Sequence, residues 1–398
     1  MTGDVQQYSP VEKDRTAPTV QVAAVVEAGN RFAFDLYERL RAKEGNLFFS
    51  PASISVALAM AYVGAAETTD AEMAKVLHFQ MRKAQLNEEM RALLASWKSS
   101  DKRAGFRLAV ANRLWGQDGF QFLPNFLQVT RVDYGAELAR LDFHQPEAAR
   151  QTINKWVEDN TQDKIKNLIP TADAVNGALL VLTNAVYFKG DWKDQFNKDL
   201  TKDEDFHISS TEKIRAPLMH QKHKFRYAAG DNLRLLDLPY GDGTLSMVVL
   251  LPEKVDGLPE LEAKLSTASL QKWMGGAHAQ EVIVFLPKFK TSAEFQLADT
   301  LKAMGMASAF EPKTADFSGM TGRKELFFSA VIHKAFVDVN EEGTEAAAAT
   351  GVIMMRSSAV VRPKVPPVFR ADHPFVFLIR DNRNGAILFL GRVNDPTK

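Results

Sequence analysis

The side chains that could serve as nucleophile, base or metal ligand are few and poorly grouped. The 398 residues include eight histidines and no cysteine, which removes thiolate catalysis, disulfides and cysteine-based metal sites together. Serine with histidine would have to carry any nucleophilic chemistry. There is no Gly-x-Ser-x-Gly elbow, no His-Glu-x-x-His and no phosphate-binding glycine loop to support it. His207, His220 and His223 form the densest histidine group, but their spacing is not that of metal ligands and they read as solvated loop and strand. Neither an enzyme, a metal nor a cofactor is expected. What stands out instead is the stretch 340–359, Asn-Glu-Glu-Gly-Thr-Glu-Ala-Ala-Ala-Ala-Thr-Gly-Val-Ile-Met-Met-Arg-Ser-Ser-Ala. It separates two segments rich in β-branched and aromatic residues, 327–339 and 369–393. Weakly structured connections of that length inside a compact domain are uncommon and usually functional.

The elements around it can be read from periodicity. Ala28, Phe32, Leu36 and Leu40 recur every four residues and predict an amphipathic helix. Ser50-Pro51 joins an N-cap to a proline at the first helical position, opening an apolar and therefore central helix over 54–63. Thr69-Asp70-Ala71-Glu72 has capping-box spacing for a third helix through Leu77; Thr291 to Glu294 repeats it before a helix through Met304 that stops at Gly305. Helical patterns also cover 86–97 and 149–168, the latter with Ile153, Trp156, Val157 and Ile165 on one side. A strand over 106–115 has Leu108, Val110 and Leu114 alternating, with Asn112 the exception. The strand over 179–188 is apolar on both faces, as when both are covered. Further strands are predicted over 233–238, 245–251, 282–286, 375–380 and 386–393, with hairpin turns at Tyr240-Gly241-Asp242-Gly243 and Asn384-Gly385. Helices mostly first and sheets afterwards make the class α+β.

Charge excludes some partners. Lys plus Arg equals Asp plus Glu at 49 each, so no global field favours nucleic acid or an anionic membrane. The most apolar run, 178–188, is broken by Thr183 and Asn184 and is far too short for a membrane span. Arg82, Lys83 and Arg91 are too few for a polyanion-binding patch. Residues 1–20 form a polar extension without the apolar core of a signal peptide, and nothing divides 21–398, which is expected to be a single domain.

Four segments, in order, resemble the serpins, the serine-protease-inhibitor superfamily. They are Asn46-Leu47-Phe48-Phe49-Ser50-Pro51-Ala52-Ser53-Ile54-Ser55; Leu182-Thr183-Asn184-Ala185-Val186-Tyr187-Phe188-Lys189-Gly190-Asp191-Trp192; His333-Lys334-Ala335 followed by Asn340-Glu341-Glu342-Gly343-Thr344-Glu345-Ala346-Ala347-Ala348; and Ala371-Asp372-His373-Pro374-Phe375. The resemblance implies three β-sheets, eight or nine helices and an exposed reactive-centre loop over about 341–367. It also implies a monomer that traps a target serine protease as a covalent acyl-enzyme while its cleaved loop inserts into the central sheet. That function favours an extracellular or periplasmic setting, and the missing signal peptide leaves the cytoplasm open. By position, Glu341, Glu342, Gly343, Thr344, Glu345, Ala346, Ala347, Ala348, Ala349 and Thr350 match the family's hinge. Ser50, Ser53, Asn184 and His333 match the shutter beneath the central sheet, and Trp192 matches the aromatic of the breach at its top.

The residues argue for insertion by themselves. Side chains alternate along a strand, so Thr344, Ala346, Ala348, Thr350 and Val352 would share one face, and all are small or apolar. Glu345 falls on the other face, where water can reach it. An alanine run also suits a helix or a linker, but the flanking motifs point to a strand. Insertion would add roughly 10 to 15 residues to a ladder at about 0.5–1.5 kcal/mol per hydrogen bond, a gain on the order of 10 kcal/mol. That matches the whole stability of an ordinary domain and predicts a metastable native state. Counting thirteen residues on from Gly343 places the scissile bond at Arg356-Ser357, which suits trypsin-like proteases with an acid at the base of the pocket. Counting fourteen places it at Ser357-Ser358, which suits elastase-like, subtilisin-like or cathepsin-like ones.

Overall fold

The computed structural model describes residues 22–97, 105–344 and 365–398. Among these residues the helices are α1 (Ala23–Leu40), α2 (Pro51–Tyr62), α3 (Glu67–Val76), α4 (Lys83–Trp97), α5 (Pro124–Asp133), α6 (Pro146–Asn160), α7 (Leu258–Glu262), α8 (Thr267–Gly275), α9 (Ala298–Met304) and α10 (Ser318–Thr321). The first strands are β1 (Leu47–Phe49), β2 (Phe106–Gln117), β3 (Ala139–Leu141), β4 (Leu180–Asp191), β5 (Lys202–His207), β6 (Lys213–Gly230), β7 (Leu233–Pro239) and β8 (Leu245–Pro252). They are followed by β9 (His278–Pro287), β10 (Phe289–Gln296), β11 (Phe328–Val339), β12 (Gly343–Thr344), β13 (Val368–Arg370), β14 (Phe375–Asp381) and β15 (Ile387–Val393). Ten helices are described where the resemblance implies eight or nine; α7 and α10 are about one turn each, too brief for periodicity to mark, whereas α9 is what forms of the helix expected through Met304. No helix among the described residues is long and apolar enough to cross a membrane.

The class is α+β, and the strands form two hydrogen-bonded networks among the described residues. One is six-stranded, in the order β10-β11-β12-β4-β2-β3. The nine other strands run β1-β15-β14-β8-β7-β6-β9-β13, with β5 on β6. The 18-residue β6 joins two parts of this network that the resemblance counts as separate sheets: its first part pairs with β5 and β9, and its end pairs with β7.

Both faces of the six-stranded sheet are covered, as the apolar run of β4 predicts. Leu180, Leu182, Val186 and Phe188 enter the main core with α1 and α2, while Val181 and Ala185 meet Ile153 and Val157 of α6 in a second, smaller core. Helix α2 is buried along almost its whole length, and its N-cap Ser50 accepts a hydrogen bond from Ser53 N at 3.2 Å. This places polar side chains of the helix entry directly beneath the sheet.

Three sequence expectations need correction. Thr69 does not cap α3, which begins at Glu67; its hydroxyl accepts from Asp316 N (2.9 Å), and Glu72 accepts from Ser308 N (2.8 Å), so the supposed box docks a distant segment. Thr291 to Glu294 lies in β10, where pairing with β11 overrides the capping pattern, and the helix shrinks to α9, ended by Gly305 at φ +113°. The helix expected over 149–168 is α6, which stops at Asn160 because Gln162 and Asp163 adopt left-handed backbone.

Candidate hinge and shutter of the central sheet

At the top of the six-stranded sheet the chain leaves β11, turns through 340–342 and re-enters as β12. Thr344 pairs antiparallel with Val339 of β11, and Gly343 and Thr344 pair antiparallel with Asp191 and Gly190 of β4. Below this point β11 and β4 pair directly with each other, in parallel, from Phe328 to Phe336. Strand β12 thus sits at the mouth of a parallel pair, antiparallel to both of its members.

Glycine is required there. Gly343 has φ +152°, and a Cβ on it would lie 2.1 Å from Gly190 O and 2.6 Å from Asp191 Cα. The turn is pinned by Trp192, whose indole Nε1 donates to Asn340 O (2.9 Å) and whose backbone N donates to Glu342 O (2.9 Å). Trp192 stacks on Tyr240 at 4.5 Å between ring centroids, and the Tyr240 hydroxyl bonds the fully buried Thr344 hydroxyl at 2.8 Å. Glu341 is only 4% exposed; Thr201 Oγ1 donates to its carboxylate at 2.8 Å and Lys288 Nζ lies 3.0 Å away. Burial would raise its pKa, but its own backbone N–H, Thr201 and Lys288 together hold it below the usual carboxylate range. Glu342 pairs with Lys198. Burial, with Glu342 nearby, raises the pKa of Asp191, whose Oδ1 has no partner among the described residues.

Lower in the same cleft the structure brings Ser50, Ser53, Asn184 and His333 together. His333 Nε2 accepts from Ser50 N at 3.1 Å, which leaves the proton on Nδ1, facing Asn184 Oδ1. Asn184 Nδ2 donates to Ser53 Oγ at 2.5 Å, and Ser50 Oγ donates to Leu388 O at 2.7 Å. A fifth member, Asn112 of β2, went unrecognised: it accepts from Ser53 Oγ (3.1 Å) and from Asn184. Its signal was in the sequence, as the one polar residue at an apolar position of its strand. His333 is wholly buried, and desolvation pushes its pKa down to about 3, so the imidazole is neutral.

Hinge residues 345–350 and the three candidates for the bait, Arg356, Ser357 and Ser358, lie outside the described residues. Of the three histidines weighed as ligands, His220 stacks on Phe285, His223 faces Asp194 at 3.3 Å and His207 lies in β5. No group of three or more His, Cys, Asp or Glu among the described residues could hold a metal ion.

The family model described as serpin (serine protease inhibitor) matches residues 27–396. The chain belongs to the serpin family. Its sequence is 42% identical over 379 residues to the leukocyte elastase inhibitor of Xenopus laevis, spanning 93% of this chain and 98% of the relative. It is 41% identical over 382 residues to the leukocyte elastase inhibitor of Homo sapiens, again across 93% and 98%. Among solved structures, uncleaved ovalbumin superposes with a TM-score of 0.86 at 30% identity, covering 94% of this serpin and 100% of the ovalbumin chain. The family's description places this serpin with protease inhibitors rather than with enzymes.

Proposed function

We propose that this serpin inhibits serine proteases irreversibly by strand insertion. The protease serine attacks the carbonyl carbon before the scissile bond, the following residue leaves as a free amine, and the enzyme remains esterified to the loop. The hinge strand then extends β12 downwards between β11 and β4. What carries this reading is β12 itself, a strand of two residues already seated antiparallel to both walls of the cleft.

Continuing its two registers is arithmetic. Ala346 would face Phe188 and Val337, Ala348 would face Val186 and Ala335, Thr350 would face Asn184 and His333, and Val352 would face Leu182 and Val331. These wall residues line the main-core side, which demands the small and apolar side chains the hinge supplies. Thr350 would arrive where Asn184 and His333 now bond each other, offering a hydroxyl as that bond opens. Glu345 would fall opposite Lys189 and Asp338 on the other face. Insertion exchanges eight parallel residue pairs for two antiparallel ladders. The net is about one additional ladder, on the order of 10 kcal/mol.

For the bait, the first reading is cleavage between Arg356 and Ser357 by a trypsin-like protease. Cleavage between Ser357 and Ser358 is the second, favoured by relatives that carry the name leukocyte elastase inhibitor. The inhibitor acts as a monomer, one per protease, in an extracellular or periplasmic setting or in the cytoplasm. Incubation with trypsin and, separately, with elastase, followed by denaturing gel and mass spectrometry of the released peptide, tests this. A complex resistant to SDS and a peptide beginning at Ser357 support the first reading, and a peptide beginning at Ser358 supports the second. Cleavage by both enzymes without a complex overturns inhibition and leaves a carrier or chaperone role.

A further inference from the structure

Away from the hinge and the shutter, a groove of about 490 Å³ opens between the C-terminal turns of α1 and α3, the turn that follows α3 and the end of α9. Small-molecule sites hold roughly 300–1,000 Å³, so the space admits a ring system and not merely a water. Its floor is apolar. Val76 and Phe79 are 5% and 6% exposed, and Ala74 and Met304 are partly buried against the main core.

The rim is charged, and its charges divide by whether they already have partners. Asp35 Oδ2 accepts from His78 Nε2 at 2.7 Å. Glu38 is held by Arg41, whose Nε and Nη2 each lie 2.7 Å from one carboxylate oxygen. Arg39 and Lys75 differ: both side chains are exposed, and neither has a hydrogen bond or ion pair among the described residues. A cation in the last turn of a helix ordinarily offsets its carbonyl end, as Arg39 does in α1 and Lys75 in α3. That role does not require two such cations, from separate helices, to share one apolar floor.

We propose that this groove binds a small amphipathic anion, an aromatic or short-chain body carrying one oxyanion group. The body lies on Val76, Phe79 and Met304, and the oxyanion pairs with Arg39 and Lys75. Arginine presents a planar fork and lysine a point charge, so a head group with several oxygens uses both at once. Cationic ligands are excluded, because Asp35 and Glu38 already have partners. The site is independent of the loop reading, since no hinge or shutter residue lines it.

Naphthalenesulfonate is the probe, with naphthalenesulfonamide as its neutral partner of similar shape and inorganic sulfate as the head group alone. In the full chain, isotope-labelled at the methyl groups of its thirteen methionines, Met304→Leu identifies the signal of Met304. Naphthalenesulfonate shifts that signal saturably, and the sulfonamide binds about two- to thirty-fold more weakly, the loss of two exposed ion pairs. Replacing both cations, Arg39→Gln with Lys75→Gln, weakens the sulfonate by the same factor and leaves the sulfonamide unchanged; both side chains are exposed, so the variant folds. The proposal is overturned if the sulfonate leaves the Met304 signal unmoved, or if the sulfonamide binds as tightly as the sulfonate. It is equally overturned if inorganic sulfate binds as tightly as the sulfonate, because the apolar floor then contributes nothing.

Discussion

Acid should weaken this serpin through one imidazole. His333 Nε2 accepts a hydrogen bond from Ser50 N and cannot take a proton without breaking it, and burial holds the pKa at about 3 against an ordinary value of 6.5. The unfolded chain therefore gains a proton as the pH falls through 6.5, while the native chain does not until about 3. The stability that the neutral imidazole contributes is complete above 6.5 and is lost progressively towards 3. Between pH 7 and 5 the loss is about 2 kcal/mol, at about 1.4 kcal/mol for each unit below 6.5. With an unfolding entropy of about 2 cal/mol/K per residue, a chain of 398 residues shifts its midpoint by about 2–3 °C for that energy. Calorimetry of the native chain and of His333→Gln at both pH values isolates the effect. Asp191 and Asp237, whose pKa values burial raises, titrate in both proteins and cancel in the difference. The native chain should lose about 2–3 °C more than the variant on acidification. Equal losses would refute the assignment of His333 as a buried neutral acceptor.

Gly343→Ala should destabilise by about 2–6 kcal/mol, from strained backbone and overpacking against β4, and an unchanged urea midpoint would contradict the packing of the hinge. Thr344→Arg places a guanidinium where Tyr240 and the core leave no room, so the loop should be cleaved without trapping the protease; a stoichiometry of inhibition equal to that of the native chain would count against insertion. Asn112→Leu should cost about 1–3 kcal/mol by stranding Ser53 and Asn184. Adding Ser53→Ala should cost less than the two single changes summed, and strict additivity would show that the two residues do not share a network.

Much of this was legible in residue types. The four-residue recurrence from Ala28 to Leu40 gives α1, the N-cap and proline at Ser50-Pro51 give α2, and the two-sided apolar run gives β4. Each is a local pattern whose period matches its element. The alternation in the hinge is a local pattern too, but beyond Thr344 it falls outside the described residues. The failures were tertiary. Thr69 and Glu72 have capping-box spacing, yet their oxygens are used by backbone more than two hundred residues away. Thr291 to Glu294 was claimed by cross-strand pairing with β11. Glu341 reads as a solvated charge, because only the fold brings Lys288 and Thr201 to it. Tyr240 reads as part of a hairpin turn, and nothing local announces that it joins Trp192 to Thr344. Asn112 lay between these cases: the broken pattern was visible, but its partners were not.

The central claim is that β12 is the beginning of a longer strand whose completion stabilises the molecule. The most direct test is the thermal midpoint before and after a single cut in the loop between Thr344 and Val365. An added ladder on the order of 10 kcal/mol predicts a rise of about 10 °C or more for a chain of this length. A midpoint that does not move after complete cleavage would show that the hinge never enters the sheet.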